Sequence, residues 1–210
     1  MPRYARIERE RLADALVEAG PDAPTLCEGW TTRDLAAHVV IRERRPDAAG
    51  GIMFKPLSGW NEAVRQSYRD RYDYADLVAK ARRPPRWSLL ELPALDEAWN
   101  LIEFFVHHED VRRGRPGWQP RELEPELAEL LWRRVRGMAR LGLMRFRATV
   151  AVEAPGYGRF VVGTGEPALT VRGDPGELVL FFIGRQRAAR VEIEGPEDLA
   201  GKLRRVRSGV

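Results

Sequence analysis

Residues 27–46 read CEGWTTRDLAAHVVIRERRP, and they set the character of the first two thirds of the chain. Thr31-Thr32-Arg33-Asp34 has the spacing of a capping box, in which a hydroxyl and a carboxylate three residues apart satisfy each other's backbone N–H groups. A helix is therefore predicted to open at Thr31. It carries Leu35 and Val39 on its apolar stripe and runs to about Arg45, where Pro46 and Gly50-Gly51 break it. The flanking sequence is helical in spacing too. Ile7, Leu12, Ala15, Leu16 and Ala19 line one stripe of a helix over 5–19 that stops at Gly20-Pro21. Further helices are predicted over 59–82, ending before Pro84-Pro85, over 94–113, stopping at Gly114, and over 124–143, with Pro125 in its first turn.

The period changes near residue 144. Segments 145–152, 158–162 and 168–171 are short, rich in Val, Phe and Thr, and separated by turn residues such as Pro155-Gly156. Asp174-Pro175-Gly176-Glu177 then opens a helix containing LVLFFIG, followed by a strand at 190–193 and a last helix over 196–206. The expected fold class is α+β: a helical bundle over 1–144, then a small α+β domain over 145–210.

Composition narrows the function classes. The chain has 210 residues, 44% of them hydrophobic and 31% charged, which is too apolar for a disordered segment. The longest apolar patches, Leu101–Val106 and Leu178–Ile183, fall far short of the roughly 20 residues that span a bilayer. The start, MPRYARIERERL, is too charged for a signal peptide. A single cysteine, Cys27, excludes an internal disulfide and a multi-cysteine metal site. A cytoplasmic protein without membrane partners is expected. Arginine runs at 42–45, 82–86, 112–115, 133–140 and 203–207 are interspersed with acids, and the formal charge is only +4. With no helix-turn-helix or finger signature beside them, they read as solvated helix faces, so nucleic acid is not an expected partner.

The three histidines are the informative feature. His38 lies beside the buried stripe of the second helix, and His107 and His108 lie in WNLIEFFVHHEDV on the fourth, whose stripe runs through Leu95, Trp99, Ile102 and Val106. Glu103 follows Trp99 by four residues and His107 follows Glu103 by four, so Glu103 and His107 stand one turn apart on or beside the apolar face. A carboxylate there is costly unless it is paired or binds a metal. His38, Glu103 and His107 can converge between two packed helices as a three-ligand site with a fourth tetrahedral position open, the arrangement of a catalytic zinc. Asp34 and Asp110 are placed to orient the imidazoles. The competing reading is an ordinary helix pair and a hydrogen-bonded core histidine. His108, rotated about 100° from His107, falls off that face.

These residues also carry a resemblance. The segment at 27–46, together with EFFVHHEDVRRG at 103–114, resembles the metal-binding domain of the mycothiol-dependent maleylpyruvate isomerase family, one of the DinB-like four-helix bundles. Trp30-Thr31-Thr32-Arg33-Asp34-Leu35-Ala36-Ala37-His38 stands for one element of that family and Glu103-x-x-x-His107 for the other. ELVLFFIGR at 177–185 and VEIEGPEDLAGKL at 191–203 are similar to its small, sterol-carrier-like C-terminal domain. The resemblance implies a divalent metal, zinc, held by His38, Glu103 and His107, with mycothiol as cosubstrate. The implied activity is thiol transfer to, or isomerisation of, a small electrophile, with Arg185 as the catalytic arginine that holds substrate carboxylates. The alternative is a non-catalytic metal- or small-molecule-binding module of the same fold. Either would be a monomer or a homodimer.

Three further readings concern single residues. Cys27 is expected as a small buried residue without a redox role. Trp30 is expected to form a hydrophobic staple with Leu35. Phe104, Phe105, Trp99 and Trp132 are expected to pack together between the fourth and fifth helices.

Overall fold

A computed structural model describes residues 3–45, 58–83 and 93–206, with the side chains of 58, 61, 93–96, 98 and 99 left aside. The breaks expected at Pro46, Gly50-Gly51 and Pro84-Pro85 lie outside these residues, as do the side chains of Leu95 and Trp99. The elements run α1 (Tyr4–Ala19), α2 (Thr32–Arg44), α3 (Ser58–Arg71), α4 (Tyr74–Arg82), α5 (Pro93–Arg113), α6 (Pro125–Gly142), β1 (Val150–Ala154), β2 (Gly158–Val162), β3 (Leu169–Arg172), α7 (Pro175–Phe182), β4 (Glu192–Glu194) and α8 (Glu197–Leu203). The class is α+β, with a helical region first and a small mixed unit after it, as the sequence suggests.

The chain divides into two compact units, Met1–Gln119 and Pro120–Gly209. The boundary thus falls before α6 rather than at residue 144. The reason lies in the apolar stripe of α6, where Leu127, Ala128, Leu131, Val135 and Ala139 are buried and the helix packs on α7. Trp132 accordingly meets Phe160 of β2, with ring centroids 5.2 Å apart.

In the first unit α1 packs along α5, and α2 packs on α3 and α4. Leu12 and Leu16, Leu35 and Val39, Leu77, and Phe104 and Val111 form the shared core of α1, α2, α4 and α5. The helical region expected over 59–82 is two helices, broken at Tyr72-Asp73. Asp73 is extended, its carbonyl takes the Leu77 amide at 3.0 Å, and the Tyr74 hydroxyl donates to the Leu16 carbonyl of α1 at 2.6 Å. That anchor turns α4 onto α1. An ion pair is buried in this core: the Arg9 guanidinium is bonded to Glu43, donates to the Ala81 carbonyl at 3.1 Å and lies 4.3 Å from the Phe104 ring centre. Removing one partner of such a pair leaves an uncompensated buried charge, at a cost of about 3–5 kcal/mol.

The second unit holds a four-stranded sheet in the order β2-β1-β3-β4. β1 runs antiparallel to β2 (Val152 opposite Phe160) and parallel to β3 (Val152 opposite Val171), and β3 runs antiparallel to β4. Every residue of α7 is buried, which accounts for its unbroken apolar run LVLFF.

Candidate metal centre

The capping box read from the sequence is present. Thr31 accepts from the Asp34 amide, and the Asp34 carboxylate accepts from the Thr31 amide at 3.0 Å. This anchors the first turn of α2 and sets the rotation that aims His38, two turns on, at α5. His38 is buried, and its ring lies 5.1 Å from that of His107, centroid to centroid.

Glu103 joins the two. His38 Nε2 and His107 Nε2 each lie 3.2 Å from the same oxygen, Glu103 Oε1. Two metal–ligand bonds of about 2.0–2.1 Å at the tetrahedral angle place their donor atoms roughly 3.3–3.4 Å apart. The two imidazole–carboxylate spacings and the His, Glu, His chemistry therefore suit a small divalent ion, and all three donor atoms lie within 4.8 Å of one another. All three residues proposed from the sequence come together, and His108 does not: its Nδ1 faces Glu8 Oε2 of α1 at 3.2 Å.

The surroundings order the imidazoles unequally. His107 Nδ1 lies 2.9 Å from Asp110 Oδ2, the partner expected for it one turn along α5. Asp34 does not serve His38 in the same way. It is committed to Thr31, to a buried pair with Arg65 and to Arg69 at 3.4 Å, because its capping role points it back toward the start of α2. His38 Nδ1 is buried and has no hydrogen-bond partner among the described residues. Its ring is packed instead, 5.2 Å from the Trp30 ring, and Arg65 lies 4.6 Å over that indole. Trp30 packs against the core cluster that contains Leu35, and it also walls the His38 site.

Two further residues enter the site that the sequence reading left out. Arg42, one turn after His38, places Nε 3.2 Å from Glu103 Oε1 and donates to Asn100 Oδ1 at 2.6 Å. The i, i+4 spacing from His38 was the available signal. Cys27 is not simply a filler: its thiol lies 3.3 Å from Asp110 Oδ2, the oxygen that faces His107. Cys27, His107 and Asp110 thus form a second close group of donor atoms, sharing His107 with the first. No local motif points to this contact, which spans 83 residues and depends on the loop path before Thr31.

The charges follow from the geometry. Burial alone drives the Glu103 carboxyl upward, but the charge and hydrogen bond of His107, the hydrogen bond of His38 and the Arg42 guanidinium hold it well below the usual carboxylate range. Burial opposes protonation of His107, yet the Glu103 charge and the bonds to Asp110 and Cys27 raise it well above the ordinary imidazole value. For His38 burial prevails, helped by the charges of His107 and Arg42, and its pKa is lowered.

Arg185 belongs to the second unit. It follows α7, partly exposed, and donates to the Ile183 carbonyl at 3.2 Å.

The first unit therefore defines a class: a helical protein with a His, Glu, His donor set between α2 and α5. Its family is given by a sequence match over residues 3–139 to the mycothiol maleylpyruvate isomerase N-terminal domain, and the chain belongs to that family. No curated protein and no solved structure matches the chain.

Proposed function

We propose that this protein is a zinc-dependent thiol enzyme, joining the thiol of mycothiol to a small electrophile by transfer or in the course of an isomerisation. The observation that carries this reading is the convergence of His38 Nε2 and His107 Nε2 on Glu103 Oε1 at 3.2 Å. A divalent ion held there would lower the pKa of a coordinated thiol or water and so supply a nucleophilic anion near neutral pH.

The chain's own residues account for the rest. Asp110 takes the Nδ1 proton of His107 in a hydrogen bond, which leaves Nε2 as the donor atom facing Glu103. Trp30 packs against the His38 ring and covers that flank of the cluster. Arg42 steadies the Glu103 carboxylate at Oε1, the oxygen that also faces the two imidazoles. His38, Glu103 and His107 would hold the ion and would leave room on it for the thiol. The family match supports mycothiol as that thiol. Arg185 is assigned the role its resemblance implies, a charge-assisted partner for carboxylates on the electrophile.

The test is a steady-state assay of thiol transfer to a panel of electrophiles, run before and after chelation and again with zinc restored. Turnover that disappears with the metal and returns with it is expected. Stoichiometric zinc without turnover on any electrophile would overturn the catalytic reading and leave a binding module.

A further inference from the structure

The second unit carries a concavity of about 320 Å3 between α6 and β2, the edge strand of the sheet. Its floor is aromatic. The Trp132 and Phe160 rings meet at 5.2 Å and 39°, and Tyr157 lines the turn beside them. Gly158, with φ +136°, brings the strand backbone close over the indole: a Cβ there would touch Trp132 Nε1 at 3.6 Å. Its rim is basic. Arg133, Arg136 and Arg159 line it against a single acid, Glu129.

The charges do not cancel. Glu129 is taken by Arg133 one turn along α6, at 2.9 Å. Arg136, 6.0 Å over the Phe160 ring, and Arg159 form no ion pair among the described residues. Glu153, directly across from Arg159 on β1, is engaged by Arg172. The larger concavity of the same unit, about 410 Å3, differs in this respect. It is lined by Arg172 and Arg190 together with Asp174 and Glu192, so its charges balance.

We propose that the α6–β2 concavity binds a small aromatic carboxylate. Stacking on Trp132 and Phe160 recognises a flat ring, and guanidinium groups donate paired N–H bonds to a carboxylate. The volume lies at the lower end of the roughly 300–1,000 Å3 typical of ligand pockets, which suits one ring with its acidic groups. The site is built wholly from residues 129–160 and is independent of the metal centre.

Calorimetric titration of the full-length protein with three probes tests this: phthalate, its neutral diamide, and succinate as an aliphatic dianion. Phthalate should bind at least about tenfold more tightly than either of the others, since each loses one of the two recognition elements. The Arg136→Gln/Arg159→Gln double variant should lose at least about tenfold in phthalate affinity, because both arginines are exposed and their removal leaves the fold intact. The Arg136→Lys/Arg159→Lys pair should recover part of it through charge alone. A His38→Ala/His107→Ala variant should bind phthalate as the wild type does. Equal affinity for the three probes, undiminished binding by the folded Gln variant, or loss of binding in the histidine variant would each overturn the proposal.

Discussion

Asp34 and Asp110 are both acids one turn from a histidine, and the structure separates them. Asp110 meets its histidine because i, i+3 on α5 is a direct side-chain neighbour and the acid is fully buried there. Asp34 sits at N3 of α2, where the capping bond outcompetes any approach to His38. Its protonation then bears on stability. Burial pushes the Asp34 carboxyl up, but the Thr31 amide, Arg65 and the Thr31 hydroxyl outweigh it and hold its pKa below the ordinary value. A carboxyl whose folded pKa lies below its unfolded one adds stability above the unfolded value and loses it as pH falls through the folded one. Asp34→Asn should therefore be less stable than wild type by about 1.5–3 kcal/mol near pH 7, the worth of hydrogen bonds to a charged group. Urea midpoints at neutral and acid pH should show that gap narrowing as the pH drops below the carboxylate range. A gap that is constant or widens toward acid pH would contradict the assignment.

Elements were readable from the sequence where local chemistry decided them, and unreadable where distant contacts did. The capping box fixed the start of α2 to within a residue, and the i, i+4 spacing on α5 placed Glu103 and His107 correctly. The division of the 59–82 helix came instead from Tyr74 reaching Leu16, and the allegiance of α6 from its burial against α7, neither of which a periodicity encodes. The same holds for the loop that carries Cys27. It lies against the end of α5 so closely that a Cβ at Gly114 would come within 2.2 Å of the Pro24 carbonyl oxygen, and the Leu26 amide donates to the Asp110 carbonyl at 3.1 Å. Gly114→Ala should destabilise the protein by about 1–3 kcal/mol, the usual range for overpacking against backbone. Gly137→Ala, in the interior of α6 with nothing near its added methyl, should stabilise by about 0.5–1 kcal/mol. Thermal unfolding of the two variants side by side checks both signs. A harmless Gly114→Ala would mean that the loop does not rest on α5 as described.

At the scale of the molecule, two compact units follow one another, and the α+β class was apparent from the change of period alone. The family match ends at residue 139, inside α6, whereas the compact units divide at residue 119. Sequence similarity and compactness thus mark different limits, since α6 packs with the unit that follows it. What unites the account is the donor set of the first unit. His38 and His107, 69 residues apart in the chain, meet on one carboxylate oxygen, an arrangement that leaves His38 Nδ1 buried without a hydrogen-bond partner among the described residues. Elemental analysis of the purified protein, beside a His38→Ala/His107→Ala variant shown by circular dichroism to be folded, tests this centre most directly. About one equivalent of divalent metal in the wild type and none in the variant is the predicted result. A wild type that takes up no metal after reconstitution, or a variant that holds as much as the wild type, would contradict it.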